Sequence, residues 1–200
     1  MVKPTLRRLS TVLPLGHAAL AYLSYVGIAG LTRRPLPVHW ALVPLGVASQ
    51  LPDLVDKPLS YHGLIISGRS LGHSLVTAIV LVVLVWLAAR WVARAETGLR
   101  ARLAERTPLA FAVGYLSHLL GDSVDAVLAG RNGELRFLLW PLLPPIDYPN
   151  DDISPVVRLL EAYQRPLTHP QLELILLAAG VLLALEVWDR TRGRPTPSGE

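Results

Sequence analysis

Residues 71–93 run for 23 positions with a single arginine near the end, "LGHSLVTAIVLVVLVWLAARWVA". As a helix this stretch is long enough to cross about 30 Å of hydrocarbon. Three more runs, 11–31, 109–121 and 171–188, are also nearly free of charge. A soluble domain would have to bury all four, yet of 200 residues 52% are hydrophobic and only 17% charged. The mean hydropathy of +0.41 points the same way. An integral membrane protein follows, an all-α polytopic transmembrane bundle formed by one domain over 1–189. A shorter apolar stretch, 38–51, is interrupted by Pro44. Taken as a short tilted span, it brings the expected total to about five. The sequence places the chain in the cell membrane, with lipids around it.

Residues 1–30 carry Lys3, Arg7 and Arg8 ahead of an apolar run, as a signal peptide does. The run also holds His17, Tyr22 and Tyr25 and lacks a small-x-small cleavage site before Gly30, so it reads as the first span. The proline-rich stretch 130–170 reads as one long irregular loop, and "RTRGRPTPSGE", 190–200, as a disordered polar tail. The net charge of +4 and pI near 9.8 raise nucleic acid as a partner. However, the arginines cluster at segment ends (33–34, 90–106, 190–194) without interleaved aromatics, which places them at lipid headgroups instead. The dense run 90–106 marks a cytoplasmic face. Nothing in the sequence sets the oligomeric state.

An ionisable group at membrane depth costs several kcal/mol unless it finds a partner. The chain has "LGHAAL" with His17, "LPDLVDKP" with Asp53 and Asp56, "GRSLGHSL" with Arg69 and His73, and "GYLSHLLGDSVD" with His118, Asp122 and Asp125. On a helix His118 and Asp122 are i and i+4 and share a face, with Asp125 one turn further on. With five spans, parity brings His17, Asp53, His73 and Asp122 to one membrane face. The chain has no cysteine, which excludes disulfides and thiolate ligands. Histidines and carboxylates at one depth suit a divalent ion, zinc first, with manganese or iron as alternatives. The competing reading is a set of buried hydrogen-bonded groups that hold helices together.

Other polar residues carry less. His39 beside Trp40 reads as an interfacial anchor and His62 as a loop residue. Asp147, Asp151 and Asp152 cap a turn or lend a carboxylate. Arg69, four residues before His73, either grips a phosphate bidentately or marks the headgroup boundary.

The ordered set G-H at 16–17, L-P-D at 51–53, G-R-S-x-x-H-S at 68–74, G-Y-x-S-H-L-x-x-D at 114–122 and W-P at 140–141 resembles the membrane-bound metal-dependent hydrolases of the YdjM type, the archaeal members most closely. More distantly, His, Asp, His, then His-x-x-x-Asp is similar to the ligand order of zinc-dependent phospholipases C and their nuclease relatives. That likeness implies His17, Asp53, His73, His118 and Asp122 as ligands, with Asp122 bridging if two ions bind. "THPQLE" supplies His169 and Glu173 as the matching His-x-x-x-Glu. No histidine lies between His118 and His169, so one or two ions are expected rather than three. Many family members carry a histidine where Gly68 stands and place the second acid two residues after the first. Asp56, three residues after Asp53, is therefore expected behind the ligands.

The expected activity is metal-assisted hydrolysis of a phosphoester or similar bond in a lipid or amphiphile, with Asp53 or Asp56 accepting the water's proton and Arg69 holding the anion. No Gly-rich phosphate loop, nucleophile elbow or serine triad spacing is present. The alternative is a non-catalytic membrane protein whose buried groups carry protons or metal ions, or are structural.

Overall fold

The computed structural model describes residues 13–32, 39–146, 151, 153–164 and 171–192. Within them the chain is helical: α1 (Pro14–Leu31), α2 (His39–Tyr61), α3 (Leu75–Ala95), α4 (Leu99–Leu128), a 3-10 helix (Asn132–Leu139), α5 (Pro155–Tyr163) and α6 (Leu172–Arg192). Local chemistry sets several boundaries. Pro14 opens α1 where its missing N–H costs nothing. The Ser74 hydroxyl caps α3 by accepting from the Val76 N–H. Pro44 does not interrupt α2, which also contains Pro52 and Pro58 and continues well past the predicted end at 51.

α4 lies at the centre and packs on α1, α2 and α3, while α6 packs on α1. The α2–α4 crossing is close because Gly114 has no side chain. A Cβ there would stand 2.4 Å from the Leu45 carbonyl oxygen and 3.0 Å from Ala48 Cβ. Small residues at helix contacts are how bundles in lipid bring backbones together.

Beside two apolar core clusters the interior holds a polar group, and apolar side chains cover the outside. His17, Asp56, His73 and His118 are fully buried, together with Ser49, Ser67 and Ser74. Val76, Ile79, Val80, Val83, Leu84 and Leu87 of α3 are exposed. Only 11% of the α3 span is buried. In water that arrangement would leave a large apolar surface uncovered; in a bilayer it is the expected one.

Two described helices, α1 and α3, are long and apolar enough to cross a membrane by length and composition, against an expectation of about five. α2 carries Asp53, Asp56 and Lys57, α4 carries a charged first third and Asp122, and α6 carries Glu173, Glu186 and Asp189. The buried polar groups themselves thus pull α2 and α4 below the apolar threshold. The stretch 130–170 is not one irregular loop, since it holds the 3-10 helix and α5. Of the predicted polar tail, 190–192 continue α6 and 193–200 lie outside the described residues, as do residues 1–12.

Candidate metal centre

The centre is built around a buried carboxylate. Asp56, in the last third of α2, is fully buried. Its Oδ2 accepts from the backbone N–H of Ser70 (2.7 Å) and of His73 (3.2 Å), and its Oδ1 from that of Gly72 (2.7 Å). The segment 70–73 therefore wraps round this one side chain. Gly72 allows the wrap, because a Cβ there would meet the Pro52 carbonyl oxygen at 2.8 Å. The Tyr115 hydroxyl donates to the Gly72 carbonyl (2.5 Å) and ties the loop to α4.

This wrap decides the orientation of His73. Its Nδ1 lies 2.9 Å from Asp56 Oδ2, and an ionised carboxylate only accepts. Nδ1 is thus the donor, and in the neutral ring the lone pair is on Nε2. The same reasoning holds for His118, whose Nδ1 lies 2.7 Å from the Ser49 carbonyl oxygen. The two Nε2 atoms face each other at 3.2 Å. Asp53 Oδ1 lies 3.4 Å from the first and 3.8 Å from the second, and Asp122 Oδ2 lies 3.2 and 3.9 Å away. Ligand atoms of Asp53, His73, His118 and Asp122 all fall within 4.8 Å of one another.

His17 completes the group. Its ring stacks on His118 with centroids 3.8 Å apart, and its Nε2 stands 3.5 Å from Asp122 Oδ1. Both ring nitrogens are buried without a hydrogen bond, a costly condition for a polar group. Gly121 leaves space for the ring, since a Cβ there would come within 3.3 Å of His17 Nδ1.

Acceptor atoms converging in this way favour a cation among them. With a proton in that role it sits on His73, which lies in the connection ahead of α3. Burial disfavours the charge there, but hydrogen bonds to Asp122, Asp53 and Asp56 outweigh it and push the pKa up to about 10. A divalent metal is the other cation that fits: nitrogen and carboxylate oxygen donors with no thiolate suit zinc, manganese or iron. The buried Asp53, His73, His118 and Asp122 could hold such an ion.

Two fixed cations flank the group. Lys57 Nζ meets Asp53 Oδ2 at 2.5 Å, one turn along α2. Arg69 Nε meets Asp122 Oδ2 at 3.1 Å, with its guanidinium 5.8 Å from the centre of the Phe137 ring. Phe137 in turn sets its ring edge-on to His73, 6.0 Å away. Arg69 therefore reaches the cluster rather than only marking a headgroup boundary.

The family comparison agrees with the motifs. The model of the YdjM inner membrane protein family matches residues 12–193, nearly the whole chain. The chain belongs to the YdjM inner membrane protein family. No curated protein and no solved structure matches it.

Within this YdjM-family chain the sequence-derived residues fall as follows. His17, Asp53, His73, His118 and Asp122 come together, with Asp56 behind His73 and Arg69 against Asp122. Glu173 stands exposed in the first turn of α6. His169, Asp147 and Asp152 lie outside the described residues, as does the Asp125 side chain. His62 is exposed just past the end of α2, and the His39 side chain lies outside the described residues. Asp151 lends a carboxylate to a distant segment: it is buried, its Oδ2 accepts from the Gly68 N–H (2.7 Å), and Arg158 lies 3.5 Å from its Oδ1. Sequence reasoning missed Lys57, Tyr115, Phe137 and the Ser49 carbonyl. Of these, Lys57, i+4 from Asp53, and Tyr115, inside the 114–122 motif, had a local signal.

Proposed function

We propose that this chain is a multi-pass membrane-bound metal-dependent hydrolase acting on a phosphoester or similar bond of a lipid or amphiphilic substrate. The observation that carries the reading is the facing of His73 and His118 Nε2 atoms, each with its Nδ1 occupied, between Asp53 and Asp122. His17 adds a third imidazole. A metal bound by these groups supplies a Lewis acid and lowers the pKa of water towards about 7. Asp53, with one oxygen on Lys57 and the other facing the imidazoles, would either hold the metal or take the proton of a water bound there. Asp56 holds the His73 ring, and Arg69 places a cation beside Asp122 where an anionic oxygen of the substrate would arrive.

The multi-pass part rests on apolar side chains exposed on α2, α4 and α6 as well as on α1 and α3: Val43 and Val47, Leu116 and Leu120, Leu177 and Leu183. A site towards one end of such a bundle supports a substrate with an acyl tail.

Lys57 on Asp53 and Arg69 on Asp122 favour a second reading, in which these ion pairs close a purely structural network. Elemental analysis of detergent-purified protein and headgroup release from phospholipid vesicles separate the two. The hydrolase reading expects about one or two transition-metal ions per chain and hydrolysis, both lost in His118→Ala. Protein free of metal after exposure to zinc, with a melting temperature indifferent to chelator, would refute it. In that case replacing His118 and Asp122 together by apolar residues of similar size would be neutral or stabilising.

A further inference from the structure

At the end of the bundle away from the metal centre, α3 and α4 enclose a cleft of about 420 Å³ lined by Trp86, Ala89, Arg90, Ala93, Arg94, Glu105 and Pro108. Arg90 lies 17 residues beyond His73, which along a helix is about 25 Å. We propose that this cleft binds the headgroup of an anionic phospholipid, independently of the hydrolase reading.

The volume is of the size that holds a small ligand group. Arg90 and Arg94 are one helical turn apart and so present two guanidinium groups on the same side. Ala89 and Ala93 leave room between them. Arg90 lies 4.9 Å from the centre of the Trp86 ring, a cation–π contact that holds the guanidinium in place and does not use up its N–H donors. Arg100, Arg102 and Arg106 add charge over the same short stretch, so five arginines face two glutamates between 90 and 106. One of those glutamates, Glu96, is paired with Arg100.

A lipid fits better than free phosphate because the cleft opens beside apolar surface. Leu84, Leu87 and Trp91 of α3 are each at least half exposed next to the arginines, and acyl chains would lie against them. Trp86 and Trp91 near the end of an apolar span match the tryptophan belt of the membrane interface. A basic recess between helices at headgroup level is the geometry that anionic lipids recognise.

Native mass spectrometry of the detergent-solubilised full chain tests this with phosphatidylglycerol and phosphatidylcholine of identical acyl chains. Wild type should retain phosphatidylglycerol in preference. Arg90→Gln/Arg94→Gln should lose that preference by on the order of ten-fold. Glu105→Gln, which removes a negative charge from the cleft, should strengthen it. Bound metal should not change in either variant, since neither touches the His/Asp group. Equal retention of the two lipids, or no response in the double variant, overturns the proposal. So does displacement of the lipid by inorganic phosphate alone, which would make this a phosphate site. If the double variant does not fold, Glu105→Gln decides: no gain in preference overturns it.

Discussion

Asp56→Asn tests whether one buried carboxylate sets up the whole centre. In the wild type, four N–H groups converge on its two oxygens: those of Ser70 and His73 and the His73 ring on Oδ2, and that of Gly72 on Oδ1. Asparagine keeps one acceptor. Its better rotamer places the amide oxygen at the Oδ2 position, which retains three bonds but sets its NH2 against the Gly72 N–H. Each retained bond falls from charge-assisted to neutral, about 1 kcal/mol apiece, and the orphaned Gly72 donor costs about 1–3 kcal/mol more. The expected loss is roughly 4–6 kcal/mol, a large fraction of the stability of an ordinary fold. His73 also loses the partner that makes its Nε2 a strong donor, which weakens metal binding by about 10–100-fold. Asp53→Asn should show the reverse balance, with a smaller stability loss and a larger metal effect. The assays are chemical denaturation in detergent and zinc competition against a chromophoric chelator. An Asp56→Asn protein within about 1 kcal/mol of wild type, binding zinc as tightly, would refute the role given to the 70–73 wrap.

Gly114→Ala should destabilise by about 1–3 kcal/mol or more through overpacking, because its new Cβ meets the Leu45 carbonyl at 2.4 Å. A thermal melt unchanged by this substitution would contradict the close α2–α4 crossing. Metal binding should weaken as pH falls. The folded His73 pKa of about 10 exceeds its ordinary value of 6.5, so without metal its proton stabilises the fold fully below about 6.5, and that contribution fades as pH rises towards 10. Zinc must displace this proton, so the gain in melting temperature on adding zinc should be larger near pH 8.5 than near pH 6.5. An equal or larger gain at the acidic pH would show that His73 is not a ligand.

The helical class, the membrane setting and the pairing of His118 with Asp122 were readable from sequence, because each depends on residues close along the chain. Apolar runs report a lipid-facing helix directly, and i, i+4 spacing reports a shared face. Even the convergence of His17, Asp53, His73 and Asp122 followed from counting helix directions, provided that 38–51 was taken as helical despite Pro44. The count of spans fared worse, since the side chains that build the centre lower the hydropathy of α2 and α4. Tertiary structure alone decided which way each ring points. His73 is oriented by Asp56, 17 residues away, His118 by the Ser49 carbonyl, 69 away, and Gly68 is held by Asp151, 83 away. Such bonds have no periodic signature, because a hydrogen bond between distant segments depends on where the packed helices place two atoms. Local pattern records which face a residue occupies; only packing selects the atom it meets.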